Sequence, residues 1–278
     1  MAGWKIPVPD NIRPHPGLKH YRHTPALDCR PYVHFPKMRM TKHTLTQFDN
    51  ELESLERRIV LLGETVCRQV VRAMDGLTTG NPDLIEEVIR TEKAINQEEV
   101  ALDETCIEMI ARFQPAANDL RLLMTVMEMV TDLERVGDEA KKIAKAARPI
   151  IESDARFVPT VELHHVSNMA VGMLRAALDA FVRRDPSATA GILRQDKEVD
   201  AIFKGIVRQL ATFMMEDPRL ISRSLDVLFI AKSIERIGDH ATNVAEQVVY
   251  MVKGLDVRHK SIEGIEQQLG NTSPASRS

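Results

Sequence analysis

The eight residues "LERVGDEA" at 133–140 return as "IERIGDHA" at 234–241. The match extends upstream, where "NPDLIEEVIRTEKAI" from Asn81 lies over "DPSATAGILRQDKEV" from Asp185 at an offset of 104, against 101 for the glycine motifs. The second copy is therefore three residues shorter between its two matched stretches. A repeat of this length means one supersecondary unit built twice, and the type of that unit decides the fold.

Its type is helical. From Met40 onward apolar residues recur with the 3.6-residue period, interrupted only at short breaks that carry proline or glycine. The pattern predicts a helix from Thr44 to Thr79, ended by "TTGNPD". There Asn81 is placed to cap the next helix and Pro82 to occupy its first position. That helix runs to Arg112, "FQPAAND" breaks it, and a third reaches Arg148. After "IIESDARFVP" the series repeats: Val161 to Arg184, a break at "RRDPSA", a helix to Glu216, a break at "EDPR", and a helix to Val252. Breaks of a few residues make consecutive helices antiparallel. The expected fold is all-α: two tandem, internally repeated antiparallel three-helix bundles, residues 40–150 and 160–256, joined by a linker at 151–159. The tail from 257 to 278 is expected to be polar and frayed.

The leader, residues 1–39, differs from the rest. The first forty residues hold seven of the fourteen prolines, four of the nine histidines and the single tryptophan. Such a segment does not sustain a helix, and a natural start at Met38 or Met40 is an alternative origin for it. The whole chain of 278 residues balances 37 basic against 40 acidic side chains, which excludes a strongly charged surface for nucleic acid or anionic membrane. Three cysteines without paired spacing favour a reducing compartment, hence the cytoplasm. No apolar run is long enough to insert into a membrane.

The acids are not scattered. At 100° per residue, with Leu133 as origin, Val126, Val130, Gly137, Ala140, Ala144 and Ala147 form one core arc. Glu134 and Asp138 then sit together on its flank at about 100° and 140°, while Asp132 falls on the opposite flank. Around Leu102 the core arc is Val88, Ile95, Cys106 and Met109, flanked by Glu92, Asn96, Glu99 and Asp103. In the second repeat Asp196 and Asp200 replace Glu92 and Asn96, whereas Phe203 and Val207 stand where Glu99 and Asp103 were. Residues equidistant from a tight turn share a height in a helical hairpin. The pairs 96/134 and 92/138 both centre on Pro115; 200/235 and 196/239 both centre between Asp217 and Pro218. Each hairpin is thus expected to bring two carboxylate pairs face to face.

Crowded like charges need a counterion. In the first repeat Lys141 and Lys142 follow Asp138; in the second Thr242 and Asn243 take those positions, and Asn243 is expected to add another oxygen to the flank. From the residues alone two readings stay open: a solvated, lysine-neutralised face, or an oxygen-ligand metal cluster of iron, zinc, manganese or magnesium. The ligands would be Glu92, Asn96, Glu134, Asp138, Asp196, Asp200, Glu235, Asp239 and Asn243. Walker loops, nucleophile elbows and Cys-His pairs are absent. A metal-dependent helical enzyme, hydrolase or oxidase, is the alternative function for such a seam. A di-iron site would need paired Glu-x-x-His motifs, and Glu162 with His165 has no counterpart in the first repeat.

The doubled "ERVGD" and "ERIGD", the upstream "EKAIN" and "DKEVD", the connector "RFQPAANDLRLLM" and "FMMEDPR" together resemble the PhoU family of phosphate-signalling proteins, over nearly all of 40–259. The resemblance implies two three-helix bundles whose Glu/Asp-x-x-x-Asp motifs hold metal clusters, here Glu92 with Asn96, Glu134 with Asp138, Asp196 with Asp200, and Glu235 with Asp239. Asn96 departs from the acidic pattern and weakens the first cluster. The implied role is non-catalytic: a negative regulator of the phosphate-starvation response, linking the ATPase subunit of a phosphate ABC transporter to a PhoR-type sensor histidine kinase. The same resemblance implies a homodimer held at the inner membrane only through its partners.

Overall fold

The computed structural model describes residues 46–152, 161–258 and 260–270. The leader and most of the linker lie outside them. Among the described residues there is no strand. Six long helices alternate with tight turns: α1 (Thr46–Thr79), α2 (Pro82–Phe113), α3 (Asn118–Glu152), α4 (Leu163–Arg183), α5 (Thr189–Glu216) and α6 (Ile221–Lys253). A short α7 (Ile262–Gly270) follows.

The helix ends are set by local chemistry. The Asn81 side chain accepts a hydrogen bond from the Asp83 amide at 3.0 Å, with Pro82 at the first helical position. In the second repeat Asp185 accepts from the Ser187 amide at 3.0 Å, and Pro186 opens a single 3-10 turn that runs into α5. Asp217 and Pro218 repeat the device before α6. At α2's end Gln114 adopts a left-handed conformation, φ 47, and its amide donates to the Ile110 carbonyl, which turns the chain back toward α3.

Within each repeat the three helices form the expected bundle, but the two bundles share one core. Leu133, Val126, Val130, Ala140 and Ala144 of α3 are fully buried in a cluster that also contains Ile234, Ile237, Ala241 and Val244 of α6. α3 packs along α6 and α1 along α4, while α2 and α5 pack on the flanks of their own repeats. Both cross-repeat contacts are antiparallel. Along α1 and α4, Glu56 is ion-paired with Arg184, a Cβ on Gly63 would fall 2.5 Å from Leu178 Cδ1, and Cys67 meets Arg175. The numbers rise on one helix as they fall on the other. Gly63 is the close-approach point, where any side chain would drive the two helices apart.

The expected frayed tail is a correction. Val257 and Ile265 are buried, with Val249 of α6, in a small separate cluster flanked by Leu193 of α5. Arg194 pairs with Glu266, holding α7 against α5. The tail's three apolar anchors, Val257, Ile262 and Ile265, are too few and too irregular to announce a helix, but they suffice once a groove exists to receive them. At α3's end the helix continues four residues past Arg148, through Pro149, although the proline has no amide hydrogen to give to the Lys145 carbonyl. Cys67 and Cys106 are free, and burial pushes both thiols up to about 12, which leaves them inert at neutral pH.

Candidate metal centres in two acidic seams

Each hairpin places its acids along one helix-helix seam. In the second repeat Asp196 and Asp200 project from α5, and Glu235 and Asp239 from α6. Their mutual crowding is visible in their acidities: burial, then Asp239, Asp200 and Glu235 in turn, push Asp196 up to about 6. Burial and Glu235 raise Asp239 as well, although this residue keeps one side open to solvent. Gly238 shapes the approach, since a Cβ there would lie 3.1 Å from Asp196 Oδ1. The glycine is a close-packing position in both repeats, but what it admits differs. Gly137 admits Ile95, whose Cδ1 and Cγ2 would both be 3.2 Å from an added Cβ.

Only one lysine is paired within the second seam. Lys232 bonds Glu235 from three residues earlier on the same helix and lies 5.4 Å from the centre of the Phe203 ring. Thr242, in the place of the first repeat's Lys141, donates its hydroxyl to its own helix, 2.6 Å from the Asp239 carbonyl.

The first seam is neutralised across the helices. Lys141 of α3 reaches Glu92 of α2 at 2.7 Å, and Asn96 Nδ2 donates to the same Glu92 Oε1 at 2.9 Å. The Lys141 bond holds Glu92 below the usual carboxylate range. Lys142 turns away to Glu139 at 2.8 Å. Farther along the seam Glu99, Asp103, Glu134 and Asp138 gather. Burial raises Glu99, Asp103 and Glu134; for Glu134 the Asp138 and Glu99 charges add to it, and for Glu99 the Asp103 charge does. Arg135 approaches Glu134 only to 3.8 Å and is itself exposed. Asp103 Oδ1 and Asn96 Oδ1 are buried without a hydrogen-bond donor. Glu99 and Asp103 therefore belong to this cluster as much as the four expected ligands do, and their helical angle beside Glu92 was the available signal.

Asn243 does not join the second seam. Its Nδ2 donates to Asp132 Oδ1 at 3.0 Å, in the opposite repeat. His240 Nδ1 lies 2.8 Å from that same oxygen, and Gln247 Nε2 donates to Asp132 Oδ2 at 2.8 Å. At 180° from the helix's core arc Asn243 is free to lean either way, and α3 supplies a buried carboxylate that needs donors. The repeat-related contact lies two turns along: Ser233 and Arg236 of α6 donate to buried Glu139 of α3, the arginine at 3.4 Å. Burial alone would raise Glu139, yet the hydrogen bonds from Lys142, Ser233 and Arg236 leave it lowered. These contacts fix α3 antiparallel to α6 and take no part in the seams.

Among the described residues, no three His, Cys, Asp or Glu side chains converge closely enough to ligate one ion as they stand. The donor chemistry nonetheless fits a hard divalent cation in the second seam, where four carboxylates, one of them raised to about 6, lie near one another and Gly238 leaves room for the Asp196 carboxylate. At the Glu92–Asn96 end of the first seam the fit is poorer, because an ammonium already occupies the counterion's position.

The PhoU domain model matches twice, over residues 59–147 and 163–248, one match for each repeat. The chain belongs to the PhoU family. A Burkholderia relative, a phosphate-specific transport system accessory protein PhoU homolog, is 45% identical over 229 residues, spanning 82% of this chain and 97% of the relative. The phosphate-specific transport system accessory protein PhoU of Escherichia coli K12 is 40% identical over 232 residues, 84% of this chain and 96% of that protein. The crystal structure of PhoU from Pseudomonas aeruginosa superposes with a TM-score of 0.72 at 42% identity, covering 75% of this chain and 100% of that one. The phosphate transport system regulatory protein PhoU from Streptococcus pneumoniae gives 0.70 at 29% identity, covering 76% and 99%. PhoU-family membership thus accounts for the doubled bundle. No helix among the described residues is long and apolar enough to cross a membrane.

Proposed function

We propose that this protein is a metal-binding, non-catalytic regulator of phosphate uptake and phosphate-starvation signalling. It acts as an adaptor between the ATPase subunit of a phosphate ABC transporter and a PhoR-type sensor histidine kinase, works as a homodimer on the cytoplasmic side, and holds the starvation response off when phosphate is plentiful. The observation that carries the reading is the pair of PhoU domain matches falling on the two repeats, together with relatives named as accessory proteins of the phosphate-specific transport system. Deleting the gene tests it: phosphate-scavenging genes become constitutively expressed in rich phosphate, and unchanged expression would sink the adaptor role.

The metal part of the reading rests on the second seam. Asp196, Asp200, Glu235 and Asp239 would supply the ligands there, and Glu134 with Asp138, joined by Glu99 and Asp103, in the first. Iron, zinc, manganese or magnesium bound there would supply positive charge that draws repelling carboxylates together and ties two helices of one hairpin. Elemental analysis of purified protein, wild type against Glu235→Ala with Asp239→Ala, checks it. Equal metal content in both removes the cluster.

A further inference from the structure

Of the exchanges that distinguish the two seams, two act together. Where the second repeat has Asp200 the first has Asn96, and where the second has Thr242 the first has Lys141. One exchange removes a negative charge and the other adds a positive one, at neighbouring points of the same seam. The added charge is not a loose surface lysine. Its ammonium crosses from α3 to α2, reaches Glu92 at 2.7 Å, and keeps a side chain only 25% exposed. Asn96 completes the arrangement by donating to that same oxygen at 2.9 Å. Lys232 in the second seam is different in kind. Its carboxylate partner, Glu235, is on its own helix, it meets α5 only over the Phe203 ring, and it is 42% exposed, so its hold on the seam's charge is the looser one.

We propose that Lys141 is a tethered cation that closes the Glu92–Asn96 end of the first seam to metal, so that the two repeats load unequally and the α5–α6 seam fills first. An ammonium held at the counterion's place satisfies Glu92 without any ion from solution and repels a divalent cation approaching the same oxygen. It also explains why Asn96 is tolerated there: its amide donates a hydrogen bond to the lysine-bonded glutamate, which an ionised carboxylate could not do, and adds no charge. What remains open in the first seam is its other end, at Glu99, Asp103, Glu134 and Asp138.

This inference rests on the metal reading of the seams, and the experiment separates the two. Mn2+ binding to the full chain is counted by electron paramagnetic resonance of the free ion, using wild type, Glu235→Ala/Asp239→Ala, and that double variant carrying Lys141→Thr in addition. The double variant loses the tighter binding. Adding Lys141→Thr then raises the residual first-seam affinity by about tenfold, the size expected when one close unit charge at a partly buried site is removed. Lys141→Arg in the same background keeps the seam closed. The reciprocal change Thr242→Lys, in the otherwise natural chain, lowers the tighter affinity by a similar factor. A metal-free readout accompanies these: by carbon NMR the Glu92 carboxyl titrates at higher pH in Lys141→Thr than in wild type. Unchanged Mn2+ affinity in both Lys141→Thr and Thr242→Lys, with the tighter site still lost in the double alanine variant, overturns the tethered-cation proposal alone. No Mn2+ bound by any variant overturns the metal reading and the proposal with it.

Discussion

The two seams descend from one repeat, yet they solve the same electrostatic problem in opposite ways. The first brings a lysine across the helices to Glu92 and changes one acid to Asn96. The second keeps Asp196, Asp200, Glu235 and Asp239 together, its Lys232 bonding a carboxylate of its own helix and crossing to α5 only over the Phe203 ring, and accepts a carboxyl raised to about 6. The glycines tell the same story. Gly137 makes room for the apolar Ile95, so its contact serves the core, whereas Gly238 makes room for a carboxylate oxygen.

The largest test of that contrast is thermal. With Mn2+ at about a hundredfold excess over Kd, the natural chain gains about 2.7 kcal/mol of stability. Calorimetry should find most of that gain abolished in Glu235→Ala/Asp239→Ala and retained in Glu92→Gln. Equal losses in the two variants would mean that the seams do not differ.

A second test concerns pH in the metal-free protein. Because the folded chain holds the Asp196 proton more tightly than the unfolded chain does, its contribution is fully present below the unfolded aspartate value. It is lost as pH rises through about 6. Asp196→Asn should therefore stabilise the metal-free protein at pH 7 by about 1 kcal/mol, after allowance for solvent screening, and flatten its stability between pH 4 and 7. Denaturant titrations at several pH values show this directly; a pH profile identical to wild type would contradict the crowding of the second seam. The same carboxyl should weaken Mn2+ binding as pH falls below about 6, since the ligand must shed its proton.

The glycines give the smaller effects, and of different kinds. Gly137→Ala should destabilise by about 1 kcal/mol, because Ile95 is buried and cannot yield freely, a strain larger than the gain in helix propensity. Gly238→Ala should stay within about 0.5 kcal/mol in urea melts, since a carboxylate end turns aside more easily than a packed isoleucine. Its effect should appear in Mn2+ affinity, which falls severalfold as Asp196 is displaced. Reversal of the two outcomes would show that Gly238 is a packing residue like its counterpart.

The sequence by itself determined everything that depends on one helix or on one hairpin. Helix ends at Asn81, Asp185 and Asp217 followed from caps and prolines that act within three residues of themselves. The core faces followed from a fixed angle per residue, and the buried Leu102, Ile95, Leu133 and Val126 lie where that angle puts them. The meeting of Asp196 and Asp200 with Glu235 and Asp239 followed from the turn at Asp217, which sets the register of the two helices it joins. What only the tertiary structure decided lies between helices: mostly ones that are not consecutive and, for Lys141, the two arms of one hairpin. Asp132, on the flank opposite Glu134 and Asp138, becomes a buried acceptor for His240, Asn243 and Gln247 because α6 of the other repeat covers it. Asn243 left the expected ligand set for the same reason. Lys141 has enough reach to sit over Asp138 or to cross to Glu92, and only the separation of α2 and α3 selects the second. The groove that orders α7 exists only after α5 and α6 have docked. Local angles and short turns are properties of a few adjacent residues, whereas the crossing of α3 with α6 depends on every side chain between them.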